Sequence, residues 1–218
     1  MNFRAAAAAG LVLAGGVATW SWLAAQPAAV HSSDRVAVQR AAAVAQAPDG
    51  SRLFLSNAQV KQAMASGTID RPVKSLLRIS KPMEFGDFVW SDHAVANGPV
   101  WIRVDLRSQL ISVFRAGHEI GTAVIVYGGD NKQTPTGTLH ILGKDADHRS
   151  SLYDAAMPYT LRLTNDGVSI HGSKVRWGAA THGCIGVPIA FARHLFEVAR
   201  IGDEVSVVPN SARHSPPA

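Results

Sequence analysis

The residues from His171 to Pro188 hold the chain's only cysteine, two histidines and four glycines, a combination suited to nucleophilic chemistry. A thiol attacks efficiently once a neighbouring base takes its proton, and backbone N–H groups at a tight turn can hold an oxyanion. These residue types predict Cys184 as the nucleophile, with a histidine of the same stretch as its base. An isolated cysteine is more often an inert buried thiol, so the prediction depends on the surrounding motif.

Three neighbours of the cysteine have candidate roles of their own. The N–H groups of Gly183 and Cys184 are candidate oxyanion donors, because a residue without a side chain lets the backbone approach closely. His182 either supports the site or takes part directly, and both interpretations stay open. The Thr181 hydroxyl is a candidate for fixing a histidine tautomer.

A zinc site is the main alternative for a chain with nine histidines. Catalytic zinc needs about three correctly spaced ligands and an open position. The sequence has neither a His-Glu-x-x-His motif nor a second cysteine. We therefore expect no metal and no other cofactor.

The length and composition predict one catalytic domain with an N-terminal extension. The chain has 218 residues, and 47% of them are hydrophobic, which is enough for a sizeable core. The excess of 21 Lys and Arg over 16 Asp and Glu would suit a polyanionic partner. Because no basic run or recognition-helix motif accompanies that charge, we expect no nucleic-acid binding.

The N-terminus has the pattern of an export signal. Arg4 is followed by an uncharged apolar stretch to Ala29, which is longer than a typical cleavable core and close to a membrane span. Residues 1–29 are therefore either a signal peptide or a membrane anchor, and both place the rest outside the cytoplasm. A lone cysteine there cannot form an internal disulfide.

The elements that position the motif are mostly strands. Residues 30–97 are interpreted as a tether and a short helical extension, with a helix over about 57–66 that the Ser56 and Gln59 capping box predicts. Alternation of apolar residues predicts strands from position 98 onward, and the helical spacing after Pro188, placed at position N1, predicts a helix behind the nucleophile. The catalytic domain is placed at 98–210, with a tail at 211–218. Strands are predicted at 100–106, 110–115, 119–129, 138–142, 160–163, 168–170 and 205–208.

Several ordered motifs resemble the L,D-transpeptidase catalytic domain (YkuD-like) over about residues 98–208. The family signature is a His-Gly followed by Ser/Thr-His-Gly-Cys, matched here at 171–172 and 181–184. This match implies that His171 is the base that takes the proton of Cys184. The segments 102–117 and 134–138 are similar to the family's opening hairpin and its Thr-Pro-x-Gly strand. A subgroup with the motif Thr-His-Gly-Cys-Ile-Gly-Val-Pro also matches at 148–153, 157–159 and 191–196.

The resemblance implies a sandwich-like β fold and a cell-wall activity. It implies a peptidoglycan L,D-transpeptidase in the periplasm or cell envelope, which forms a Cys184 thioester with a donor stem peptide and transfers it to an amine acceptor. Transfer to water would make it an L,D-carboxypeptidase. The family's lid or cleft lining corresponds to Tyr153, Met157 and Tyr159, and Thr181 is grouped with them as a substrate contact.

The chain departs from the family at Gly186, where members usually carry an arginine. A substrate carboxylate in a partly dry cleft needs a cationic partner, because an unpaired buried charge is costly. Arg176 is the first candidate and Lys174 the second, since both lie between the two motifs. The departure also leaves open a catalytically degenerate domain that only binds the cell wall.

Overall fold

The structure is a computed structural model that describes residues 45–46, 52–129, 132–151 and 154–210. The predicted export segment at 1–29, most of the tether, the tail at 211–218 and Tyr153 lie outside the described residues. Within the described ranges, no helix is both long and apolar enough to cross a membrane.

The fold is mostly β and sandwich-like, with two sheets and one helix between the nucleophile and the last strand, as predicted. The large-sheet strands are β1 (Ala45–Gln46), β2 (Arg52–Phe54), β3 (Ser75–Leu77), β4 (Phe88–Trp90), β5 (Val100–Asp105), β6 (Leu110–Arg115), β7 (His118–Val124), β8 (Gly137–His140) and β13 (Glu204–Val208). The small-sheet strands are β9 (Gly143–Asp145), β10 (Thr160–Arg162), β11 (Ser169–Ser173) and β12 (Ile185–Pro188). The large sheet has the order β1-β2-β3-β7-β6-β5-β13-β8, and β4 also pairs with β7. The small sheet has the order β12-β11-β10-β9.

The centre of the large sheet follows the predicted alternation. Strands β5 and β6 form an antiparallel hairpin, and Gln109 turns it with a φ of 53°. The alternating residues Ile102, Val104 and Ile111 are fully buried. This burial stabilises the hairpin, because each buried aliphatic side chain contributes about 1.5–3 kcal/mol.

The described part of the extension joins this sheet. Helix α1 (Asn57–Ala65) begins at the predicted capping box, where the Ser56 N–H donates to Gln59 Oε1 at 2.7 Å. Strands β2, β3 and β4, which the sequence analysis did not predict, pair along the edge of the large sheet. Buried Arg52 holds them in place by donating to the Glu119 carbonyl at 2.7 Å and to the Ser91 carbonyl.

The small sheet packs one face onto the core. Leu161 and Ile170 are register partners, and Ile185 pairs with Ile170 on the other side. All three are buried in the main core cluster with helix α2 (Ile189–Val198). Pro188 is the N-cap of that helix and the last residue of β12, and not N1 as the sequence suggested, because β12 continues to this residue.

Candidate active site

The other face of the small sheet forms the floor of a cavity. Alternation along a strand places residues two apart on one face, so Ser169 and His171 both point away from buried Ile170. Arg162 is the register partner of Ser169 and of Gly143, so these three residues form a row across three strands. All of them line a cavity of about 730 Å³. The floor residues are Gly143, Asp145, Thr160, Arg162, Ser169, His171, Ser173 and Cys184.

Cys184 extends that row to the next strand. Ile185 pairs with Ile170 in the parallel register, so Cys184 lies opposite Ser169, two residues before Gly186, the register partner of His171. An offset of two residues keeps both on one face, so the imidazole on β11 and the thiol of the residue just before β12 both line the same cavity. The structure brings together the two residues that the sequence assigned to nucleophile and base.

His171 has one fixed hydrogen bond. Its Nδ1 lies 3.0 Å from the Gly172 carbonyl oxygen, which can only accept, so Nδ1 carries the proton and the Nε2 lone pair is available. Burial lowers the pKa of His171 below its ordinary range, although the Gly172 bond acts in the opposite direction and the His148 charge contributes less. The imidazole is thus neutral, in the form a general base requires.

Cys184 is half-buried and protonated near neutral pH. Burial raises the pKa of the thiol, while the Ser169 backbone N–H and Lys132 oppose that change. Its Sγ lies 3.9 Å from the Gly167 carbonyl oxygen, a weak contact for a thiol donor. At neutral pH the thiol and the imidazole are therefore both uncharged.

The turn before the cysteine is fixed by side-chain and backbone contacts. The Thr181 hydroxyl donates to the Cys184 carbonyl at 2.5 Å, so it braces the turn. Gly183 has a φ of 96°, a region that side chains disfavour. A Cβ added to Gly128 would lie 2.8 Å from the Gly183 Cα, so the backbone around Gly128 also packs closely against the turn.

Residues beyond β7 bind the turn and β12 through the backbone. The Thr181 N–H donates to the Tyr127 carbonyl at 3.0 Å, and the Gly129 N–H donates to the Thr181 carbonyl at 3.1 Å. Val126 and Gly186 exchange two further bonds, at 3.0 and 2.8 Å. Within the described residues, no carbonyl accepts from the backbone N–H of Gly183 or Cys184. Of these two candidate oxyanion donors, Cys184 lines the cavity, whereas Gly183 is buried and does not belong to the described lining.

The family model of YkuD, the L,D-transpeptidase catalytic domain, matches residues 99–207, half of the chain. The chain belongs to the L,D-transpeptidase catalytic domain family. No curated protein matches it significantly.

Solved structures of L,D-transpeptidases are similar to the chain. One from Stackebrandtia nassauensis is 26% identical, with 54% of this chain and 58% of that chain covered and a TM-score of 0.48. One from Mycobacterium tuberculosis H37Rv is 23% identical, with 50% of this chain and 57% of that chain covered and a TM-score of 0.47. The catalytic domain of the E. faecium enzyme, solved by NMR, is 25% identical, with 50% of this chain and 96% of that chain covered and a TM-score of 0.43. The chain spans somewhat more than half the length of the first two structures.

Of the other residues predicted near the cysteine, some line the cavity and some do not. Met157, Thr181 and His182 line the cavity with the cysteine. Tyr159 packs against Phe196, with ring centroids 5.9 Å apart, and is not part of the lining. Tyr153 lies outside the described residues.

The predicted carboxylate partners are not at the cavity. Arg176 and Lys174 are exposed, and neither belongs to the lining among the described residues. Sequence reasoning missed Lys132, which does line the cavity. No pattern marks it, because it lies in the irregular segment after β7. It also missed Ser169 and Ser173, which alternation about His171 would have placed on the same face.

Gly186 has no room for the family's arginine. A Cβ there would lie 2.7 Å from Val126 Cγ2 and 3.0 Å from the Ser173 Cβ. The backbone of β12 is held at this point by the two bonds to Val126. The packing around β12 therefore accounts for a glycine at this position.

Proposed function

We propose that the chain is a peptidoglycan L,D-transpeptidase that works through a Cys184 thioester. The observation that carries this proposal is one cavity lined both by the thiol of Cys184, the residue just before β12, and by the tautomer-fixed imidazole of His171 on β11. Membership in the L,D-transpeptidase catalytic domain family supports the substrate class. The cavity volume of about 730 Å³ is in the range of small-molecule and peptide sites.

Acylation begins with proton transfer from the thiol to His171 Nε2 as the sulfur attacks the donor carbonyl. That carbonyl belongs to the bond between an L-centre and D-alanine in the donor stem. The tetrahedral oxyanion accepts hydrogen bonds from the N–H groups of Gly183 and Cys184, which cost nothing to orient because the turn is already fixed. Collapse forms the C–S bond of the thioester, breaks the C–N bond, and releases D-alanine, whose amine takes the proton from His171.

Deacylation follows the same order of proton transfers, with an amine as the attacking group and the thiolate as the leaving group. The side-chain amine of a diaminopimelate residue on a second stem attacks the thioester, and neutral His171 takes its proton. A new amide bond forms, the C–S bond breaks, and the thiolate recovers its proton from His171. With water in place of the amine, the same steps give an L,D-carboxypeptidase.

The proposal includes export of the chain. Peptidoglycan lies outside the cytoplasm, so the apolar segment 5–29 after Arg4 would act as a signal peptide or an anchor. Mass determination of the N-terminus of protein isolated from the cell envelope would distinguish cleavage from anchoring.

Intact-mass analysis with a purified disaccharide tetrapeptide tests the activity. We expect a mass increase equal to the donor minus D-alanine on Cys184, and cross-linked dimers when an acceptor stem is present. Cys184→Ala should lose both signals while unfolding at the same temperature as the parent. Free tripeptide without dimers would favour the carboxypeptidase. Sedimentation with cell-wall sacculi but no adduct would contradict the enzyme and favour the binding domain.

A further inference from the structure

Three lysine and arginine side chains line the described part of the cavity: Lys132, Lys144 and Arg162. Lys144 is hydrogen-bonded to the end of α2, because its Nζ donates to the carbonyls of Phe196 and Ala199, both at 2.6 Å. It also lies over the Phe196 ring, 4.4 Å from the centroid. Its ammonium therefore closes the C-terminal end of the helix.

Arg162 is directed away from the nucleophile. It is separated from Cys184 by β11, and adjacent strands are about 4.8 Å apart. Its guanidinium lies over Gly143 on β9, where Nη2 is 3.4 Å from the position of an added Cβ. It also donates to the Thr164 carbonyl at 3.5 Å. Arg162 thus faces the far side of the cavity floor.

Lys132 lies directly against the nucleophile turn. Its Cγ and Cε are 3.4 and 3.5 Å from the position of a Cβ on Gly183, so its side chain crosses the glycine of the proposed oxyanion site. Its Nζ is 3.3 Å from Asp166 Oδ2, on the hairpin between β10 and β11. That hairpin also presents the Gly167 carbonyl to the thiol, so the ion pair joins two walls of the cavity beside Cys184.

The Lys132–Asp166 pair is suited to exchange. The side chains are 42% and 64% exposed, and ion pairs this exposed contribute little to stability. The Thr164 hydroxyl donates to Asp166 Oδ1 at 2.5 Å, so the carboxylate keeps a partner when the lysine leaves. An incoming carboxylate can replace Asp166 on Nζ, because charge-assisted hydrogen bonds to ammonium are among the stronger polar contacts.

We infer that Lys132 pairs with a donor carboxylate next to the scissile amide, and that Asp166 holds the ammonium until the donor binds. This inference rests on the proposed function for the identity of the donor. Lys132 is then the specificity-determining cation of this chain, in a position unrelated to residue 186.

Alkylation of the single cysteine tests the inference without relying on peptide turnover. Iodoacetate carries a carboxylate and iodoacetamide is neutral, so the ratio of their rates at Cys184 reports local attraction of a carboxylate. Changes in thiol pKa affect both rates alike and cancel. Lys132→Met should lower the ratio about three- to tenfold, Lys132→Arg should retain it, and Asp166→Asn should raise it. Lys61→Met, a surface lysine on α1, is the matched control and should leave the ratio unchanged.

Donor kinetics extend the test to the peptide. Lys132→Met should raise KM for a tetrapeptide with a free carboxylate about three- to tenfold, and leave KM unchanged for the C-terminal carboxamide. An unchanged alkylation ratio in Lys132→Met would overturn the inference, as would a fall in Arg162→Met in place of Lys132→Met. If the ratio falls as expected but no peptide is processed, the proposed function fails while the carboxylate site stands.

Discussion

His171 and Gly186 are register partners in the parallel pair of β11 and β12, so the proposed base lies beside a residue that has no side chain. An added Cβ would meet Val126 Cγ2 at 2.7 Å, closer than ordinary van der Waals contact. Val126 is branched at Cβ and fully enclosed, so it has little freedom to move away. The family's usual arginine and this packing arrangement exclude each other.

Gly186→Ala should therefore destabilise the protein by about 1–3 kcal/mol, the typical cost of overpacking a close-packed interior. Urea denaturation would measure the change in the free energy of unfolding. Gly129→Ala is the matched control, because its only near contact would be the Ala180 Cβ at 3.4 Å. In a double-mutant cycle, Val126→Ala should recover part of the loss. If Gly186→Ala were as stable as the parent, a Cβ at this position would not be crowded by Val126. A gain of activity in Gly186→Arg would contradict the crowding more directly.

The pH dependence of acylation should reflect the two shifted pKa values. Burial lowers the pKa of His171, so the base stays neutral below the ordinary histidine pKa of about 6.5 and activity is lost only as the pH falls further. Burial raises the pKa of Cys184, so alkylation by iodoacetamide should still increase with pH above the ordinary cysteine pKa of about 8.5. Stopped-flow rates across pH 4–10 would show both. A pH-independent alkylation rate near neutrality would reveal a thiolate–imidazolium pair and contradict this expectation.

The two histidines near the thiol should differ in kinetic effect. His171→Gln should lower the acylation rate by about 10² to 10⁴ with little change in donor affinity, since it removes the general base. His182 is exposed at the cavity edge, so His182→Gln should have the smaller effect. Single-turnover acylation would separate rate from affinity. A normal rate in His171→Gln with an inactive His182→Gln would reverse the assignment.

Thr181 should matter through its hydroxyl. Thr181→Val keeps the shape but removes the donor to the Cys184 carbonyl, and loss of one hydrogen bond costs about 0.5–1.5 kcal/mol. We expect lower thermal stability and slower acylation in Thr181→Val, with both largely retained in Thr181→Ser. If Thr181→Ser were as impaired as Thr181→Val, methyl packing and not the hydroxyl would hold the turn.

The loop cations between the two motifs provide a direct comparison with Lys132. If Arg176 or Lys174 bound the donor carboxylate, as the sequence suggested, substitution by alanine would cost about 1.5–3 kcal/mol in apparent binding. Both are exposed and absent from the described cavity lining, so we expect changes within about 0.5 kcal/mol. Donor KM values for Arg176→Ala and Lys174→Ala would decide. A tenfold increase in either would favour the sequence-based assignment.

Sequence reasoning succeeded where the local pattern is long enough to be specific. The alternation in β5 and β6 and the capping box of α1 each determine their element with little help from tertiary contacts. The three-residue strands β2, β3 and β4 were missed, because so short a segment carries almost no periodicity. Strand β12 was missed for another reason: Gly186 interrupts its apolar pattern, and Pro188 suggested that the helix had already begun.

The residues of the candidate site also fall into those that the sequence could assign and those that it could not. Cys184 and His171 could be assigned from motif chemistry, whereas Lys132 could not, because it reaches the cysteine only through the contact of its loop with Gly183. Arg176 and Lys174 are close to the motif in sequence, but both are exposed and neither lines the described part of the cavity. Proximity along the chain was a poor guide to proximity in space.

The backbone bonds from Val126 and Tyr127 to Gly186 and Thr181 join parts of the chain that are distant in sequence. Contacts of this kind form slowly during folding, because a long loop has to close before they are made. The nucleophile turn should therefore acquire its final geometry only after both sheets have assembled. During refolding, the native rate of thiol modification would return later than the burial of Trp101. The rate of modification of the single cysteine would therefore report the last folding step.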